Sequence, residues 1–184
     1  MSSIKLDGLT VASSSGSPTA VTLNNNVSFN NRLIKIAKNA SDASIQTGFV
    51  NSTSFAWGNS SIEVSITPNK AGNLLMLNAY FTGYNDSNDM QSYHSFLISS
   101  DNGTNFINVA TDSNGMGLTS SDYVTNHYHY TGTDYGAGAS NMIGYYNPQN
   151  TNPLKIRSSC RVANGQFKYQ NPHVIICYEY EVVS

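Results

Sequence analysis

Residues 62–81 read IEVSITPNKAGNLLMLNAYF, and this stretch decides the fold. Ile62, Val64 and Ile66 alternate with Glu63, Ser65 and Thr67, the period-two pattern of a strand with one buried face. Pro68-Asn69-Lys70-Ala71-Gly72-Asn73 breaks that pattern with turn-forming residues. Leu74–Phe81 (LLMLNAYF) is a longer apolar run, expected to be a central strand covered on both faces.

The same reading extends downstream. His94–Ser99 and Phe106–Ala110 flank Asp101-Asn102-Gly103, a hairpin signal. Residues 111–153 are rich in Gly, Tyr, Asn and Ser, with strands expected at Tyr123–Tyr130 and Met142–Tyr146. Leu154, Ile156, Ser158, Cys160 and Val162 mark one face of a late strand. Val174, Ile176, Tyr178, Tyr180 and Val182 mark one face of the last. No helix of ordinary length has amphipathic spacing, and no repeat of fixed period occurs. Seven or more short strands with regular turns predict an all-β chain, an antiparallel, jelly-roll-like β-sandwich over residues 45–184.

Upstream, residues 1–44 read as an extended N-terminal arm for attachment and oligomerisation. Strand-like pieces Ile4–Val11 and Ala20–Phe29 flank a Ser-Gly-Ser-Pro linker within Ser13–Pro18. The apolar residues of the arm are Ile4, Leu6, Leu9, Val11, Val21, Leu23, Val27 and Phe29. They are too few to fold alone, so the arm needs copies of itself or a partner to dock on. Arg32–Ala43 fits a short helix or a strand, and the strand is favoured.

The 184 residues carry a net charge of -2, and only 11% are charged. No basic face exists for phosphates, which excludes a nucleic-acid ligand. Solubility falls to Ser, Thr, Asn and Gly, whereas ordinary globular domains carry about a quarter charged residues. Cys160 and Cys177 lie on two expected strands; a pairing is open, and two buried free thiols are the preferred reading. No signal peptide is expected, since Met1–Asp7 has no charged region followed by an apolar run, and no apolar run approaches a membrane span.

Ser65–Pro68 (SITP), the turn and apolar strand after it, Ser99–Thr104 (SSDNGT), Lys155–Ser158 and the final strand through Glu179 together resemble the small β-sandwich domains that end bacteriophage tail fibres, notably those of marine and cyanobacterial phages. Those domains are similar to jelly rolls of the tumour-necrosis-factor and complement type. Ser3–Leu9 and Leu23–Phe29 resemble the attachment arms of such fibres. The resemblance implies a homotrimeric virion protein, assembled in the host cytoplasm, that docks on other virion proteins through its arm and binds or displays without catalysing a reaction. A capsid decoration or head-fibre protein with a purely structural role is the alternative. A glycan-degrading enzyme is the third, disfavoured for want of paired carboxylates.

Candidate site residues follow from the same stretches. His127 and His129 sit at i and i+2, so a strand would project both from one face. Repeated about a three-fold axis, as the fibre resemblance implies, they would offer six nitrogens to a transition metal; two ligands per chain are otherwise short of a closed site. No other cofactor is expected. Tyr123, Tyr135, Tyr145, Tyr146 and Asn147 are the candidate ligand-binding residues, since tyrosine pairs a flat apolar body with a polar tip, and a host-surface glycan is the expected ligand. Asp86–Asp89 and Asp112–Gly115 are oxygen-rich, and Asx-turns are preferred to calcium loops there. Trp57 is read as core or interface. No nucleophile, phosphate-loop or zinc motif occurs, and Glu63, Glu179 and Glu181 lie on strands without an evident acid/base partner.

Overall fold

The alternation at residues 62–81 becomes strand pairing in the structure, a computed structural model. It describes residues 3–6, 9–14, 21–23, 31–41, 49–50, 53–55, 62–85, 91–116, 122–128, 136–163 and 165–182. Those residues form strands and turns and no helix. The strands are β1 (Ser3–Leu6), β2 (Leu9–Ser14), β3 (Val21–Leu23), β4 (Asn31–Ser41), β5 (Phe49–Val50), β6 (Glu63–Ile66), β7 (Leu74–Asn85), β8 (Gln91–Ser99), β9 (Ile107–Asn108), β10 (Gly115–Met116), β11 (Thr125–Tyr128), β12 (Gly136–Tyr146), β13 (Leu154–Val162) and β14 (Phe167–Val182).

The chain divides into two compact units, one built on residues 1–32 and one spanning Leu33–Val182. In the first, β1, β2 and β3 form an antiparallel sheet with Leu6 opposite Leu9 and Ala12 opposite Leu23. Ile4, Leu6, Leu9, Val11, Val21 and Leu23 lie on these strands. Val27, Phe29 and Trp57 lie outside the described residues. Arg32–Ala43 takes the favoured alternative: β4 pairs beside β14 in the larger unit. The division between units therefore falls after residue 32, ahead of the expected boundary after 44.

Two sheets make the larger unit. One, the β7 sheet, runs β10-β12-β7-β14-β4, with β5 also on β14; the other, the β8 sheet, runs β11-β8-β13-β6, with β9 also on β8. From β6 onward the chain crosses between them, and β4 returns beside the last strand, β14. This is the jelly-roll arrangement of an antiparallel sandwich. The core between the sheets includes Leu75, Leu77 and Phe81 from β7, Met142 from β12, Val64 and Ile66 from β6, Phe96 and Ile98 from β8, and Leu154, Ile156 and Val162 from β13. The inward set expected on β13, Leu154 through Val162, is buried throughout.

Leu74–Phe81 is central, between β12 and β14, but it is not covered on both faces. Leu75, Leu77, Ala79 and Phe81 are buried; Leu74, Met76 and Asn78 are half-buried and Tyr80 is 42% exposed. A strand sends alternate side chains to opposite faces, and only one face meets the opposing sheet. The composition of the run concealed that.

The Asp101-Asn102-Gly103 signal is a hairpin turn between β8 and β9, with Asn102 at φ 61° and Gly103 at φ 89°. The Asp101 carboxylate accepts from Ser99 Oγ at 2.6 Å, from the Thr104 N–H at 3.1 Å and from the Asn105 N–H at 2.9 Å. The Asn105 and Ser99 bonds are the largest causes holding its pKa down at about 2. Asp112 makes the expected Asx-turn, accepting the Asn114 N–H at 2.8 Å. Asp86–Asp89 lies outside the described residues.

Cys160 and Cys177 are free and buried, on β13 and β14 in different sheets. Burial pushes each thiol up to about 12. Thiolate is the reactive form. Neither cysteine is therefore expected to take up iodoacetamide in the folded protein at pH 8, while both should be alkylated in denaturant, which intact-mass spectrometry would read directly.

Candidate functional site

The outward face of the β7 sheet carries the least ordinary surface of the sandwich. Pairing register places its residues in rows. Asn141, Tyr80 and Val174 form one; Ile143, Asn78 and Ile176 the next; Tyr145, Met76 and Tyr178 the third; Leu74 and Tyr180 the fourth. No charged side chain occurs in these four rows. Ile143 is 38% exposed and, on the neighbouring β4, Ile36 is 55% exposed.

β14 shows how far the pattern is inverted. Its core-facing residues include His173, Cys177 and Glu179, while Val174, Ile176, Tyr178, Tyr180 and Val182 face outward. Glu179 is fully buried, and its Oε1 accepts the Asn69 N–H at 2.6 Å and Asn73 Nδ2 at 2.7 Å. Lys35 Nζ lies 3.9 Å from Oε2 and also donates to the Thr67 carbonyl. This carboxylate thus joins β14 to β4 and to the turn before β7; its partners are donors of the scaffold.

Among the described residues, those expected to bind a ligand are spread over different sheets and faces. Tyr145 is half-buried in the third row of the outer face. Tyr146, next along β12, points the other way and is only 7% exposed, so little of its ring is open to a ligand. Burial first, and the Asp112 carboxylate second, raise its pKa. Both tyrosines lie within β12, and a strand separates successive side chains. Asn147 is half-buried; its N–H donates to the Asn114 carbonyl at 2.8 Å and its own carbonyl accepts Gln149 Nε2 at 3.0 Å.

Tyr123 belongs to the β8 sheet. Its ring lies 4.9 Å from that of Tyr93, and the Arg161 guanidinium sits over Tyr93 at 4.0 Å while gripping Asp122 with two bonds of 2.8 and 3.0 Å. Tyr123 is thus part of a side-chain stack on its own sheet. His127 is on β11, opposite Ser92, but its side chain, like His129 and Tyr135, lies outside the described residues. Among the described residues no group of three or more His, Cys, Asp or Glu is placed to hold a metal.

A polar network crosses the core between the sheets. Ser92 Oγ and His94 Nε2 are 3.0 Å apart, His94 Nδ1 and the Tyr169 hydroxyl 3.0 Å, and Ser158 Oγ and His173 Nε2 2.7 Å. The Tyr169 and His173 rings stack at 4.8 Å. Burial raises the Tyr169 hydroxyl well above its ordinary value and lowers His173 to about 4. The serine–histidine pair has the composition of an activated nucleophile. It is sealed, with Ser158 and His173 each 1% exposed, so a substrate has no approach to it.

Sequence reasoning singled out Val174 through Val182 as one face of a strand but not as a surface. The signal that identifies them is the contrast between that set and the intervening Cys177, Glu179 and Glu181, interrupted only by Ile175.

No protein-family model matches the chain, and no curated protein matches it. Among solved structures it is similar to Eiger TNF from S. frugiperda, at 11% identity and a TM-score of 0.43, over 83% of this chain and 96% of that chain. No property of that protein is transferred to this one.

Proposed function

We propose that this chain is a non-catalytic virion protein, a homotrimeric fibre or fibre-tip component. Residues 1–32 attach it to other virion proteins, and the sandwich presents host-binding surface to glycans. One observation supports the self-assembly most: the outward rows of the β7 sheet are uncharged and, apart from Asn78 and Asn141, aromatic or aliphatic, while the inward face of β14 takes His173 and Glu179. Strands spaced ~4.8 Å apart and same-face residues ~6.8 Å apart give four rows on three strands an area of roughly 400 Å². That is within the range of the largest apolar patches on monomers, ~300–600 Å², which are often functional. An uncharged face suits packing around a three-fold axis, where copies of the same residues approach one another, since it brings no like charges together.

Light scattering of the purified chain is expected to give three times 19.9 kDa. A monomeric mass overturns the reading. Ile176→Asp, at a half-buried position in the second row, is expected to yield a folded monomer. A trimer that survives this substitution would exclude the face as its interface.

A further inference from the structure

β4 and β6 meet at a seam where both sheets end. Among the described residues β4 closes the β7 sheet and pairs only with β14, while β6 closes the β8 sheet and pairs only with β13. Side chains join the two strands where no backbone ladder does. Lys35 Nζ donates to the Thr67 carbonyl, just past the end of β6, and Asn39 Nδ2 donates to the Glu63 carbonyl at 3.0 Å. The donors are four residues apart on β4, and the acceptors are four apart in the reverse direction, so the strands run antiparallel across the seam. Residues four apart on a strand also share one face. Ala37, between the donors on that face, packs against the core and has no group to reach a carbonyl.

The same lysine faces a second partner. Glu179 on β14 is fully buried, and its Oε2 accepts no hydrogen bond among the described residues. Lys35 Nζ, 3.9 Å away, is the charge set against it. A buried carboxylate stripped of its cation is costly, so Glu179 favours the closed position of β4. Little else holds β4 down. No side chain from Arg32 to Ala40 is fully buried, and Leu33 and Ile36 are largely exposed. β7, by contrast, buries Leu75, Leu77, Ala79 and Phe81 and has a strand on either side. Elements with few buried apolar contacts are the ones that open locally.

We infer that β4 is a strap across the seam, fastened by Lys35 and Asn39, that opens as a unit while the two sheets stay packed. The chain passes from residue 32 directly into it, so a pull or a docking event on the first 32 residues reaches the sandwich at the strap. Opening bares the Glu179 carboxylate and the β14 edge that β4 covers. The inference depends on neither the trimer nor the glycan. Hydrogen exchange of the isotope-labelled full chain, read amide by amide, tests it. The slowest amides of residues 33–41 are expected to exchange at least about tenfold faster than those of residues 74–81. Lys35→Gln should speed the β4 set by about a further fivefold, the scale of a partly exposed ion pair, and leave residues 154–162 unchanged. Lys35→Arg, which keeps the charge, should restore most of the protection. Equal protection at 33–41 and 74–81 overturns the strap. So does a Lys35→Gln effect that is absent or that spreads to 154–162. A Lys35→Gln chain that does not fold would equally refute the claim that the sheets stay packed without the fastening.

Discussion

Phe81→Ala is expected to lower the unfolding free energy by about 3–5 kcal/mol, among the largest costs of any single truncation in the sandwich. The ring is 1% exposed and sits where the two sheets meet. Its centroid lies 4.6 Å from that of His94, 5.1 Å from Tyr169 and 5.9 Å from His173, with the last two edge-on. Deleting it removes the transfer energy of a buried aromatic and leaves a hole. The walls are poorly able to close over that hole, because His94 is held by Ser92 and Tyr169, and His173 by Ser158. Phe167 is also constrained: it packs on bare Gly83, where a Cβ would come within 2.8 Å of the Lys168 carbonyl oxygen. At ~2–4 °C per kcal/mol for a chain of this size, the melting temperature should fall by roughly 10 °C. Ile107→Ala on β9, at 41% exposure, is the matched control and should change stability by less than about 1 kcal/mol. Urea unfolding of the two variants beside the parent decides it; equal losses in both would remove Phe81 from the centre of the core.

The same neighbourhood shows what the sequence could reveal. Period-two patterns at residues 62–66 and 154–162 identified strands and their inward faces, because there the apolar set is also the buried set. The turn at 101–103 was legible because a left-handed pair needs Asn and Gly. β7 and β14 were legible as strands but not as to which face is inside. Both of their faces carry apolar residues, and the register that sorts Met76 and Ile176 outward depends on partners far along the chain. Tyr145 and Tyr146 show a related limit: they were grouped by composition, and the pleat of β12 sends them to opposite sides.

Acid is expected to weaken the fold across a window set by His173. Its imidazole is packed between Tyr169, stacked at 15°, and the edge of Phe81, with Ser158 Oγ 2.7 Å from Nε2. The titratable groups sharing this interior are His94 on β8, Tyr169 on β14 itself and Cys160 on β13, whose thiol burial raises to about 12. Burial lowers His173 from 6.5 to about 4, because the charged ring would lose its water. The folded value lies below the unfolded one, so between those two pH values the unfolded chain holds more protons. The stability that the neutral ring secures is complete above pH 6.5, falls as the pH drops, and is gone near pH 4. A shift of that size corresponds to about 3 kcal/mol. Asp101, held at about 2, keeps its own contribution until the pH falls below that window, so it does not obscure the slope. Urea midpoints measured at intervals from pH 7.5 to 4.5 should decline steadily below 6.5. His173→Gln, which preserves a polar partner for Ser158 without a titrating ring, should flatten much of that decline while costing stability at pH 7.5. An unchanged slope in the variant would assign the acid sensitivity to some other group.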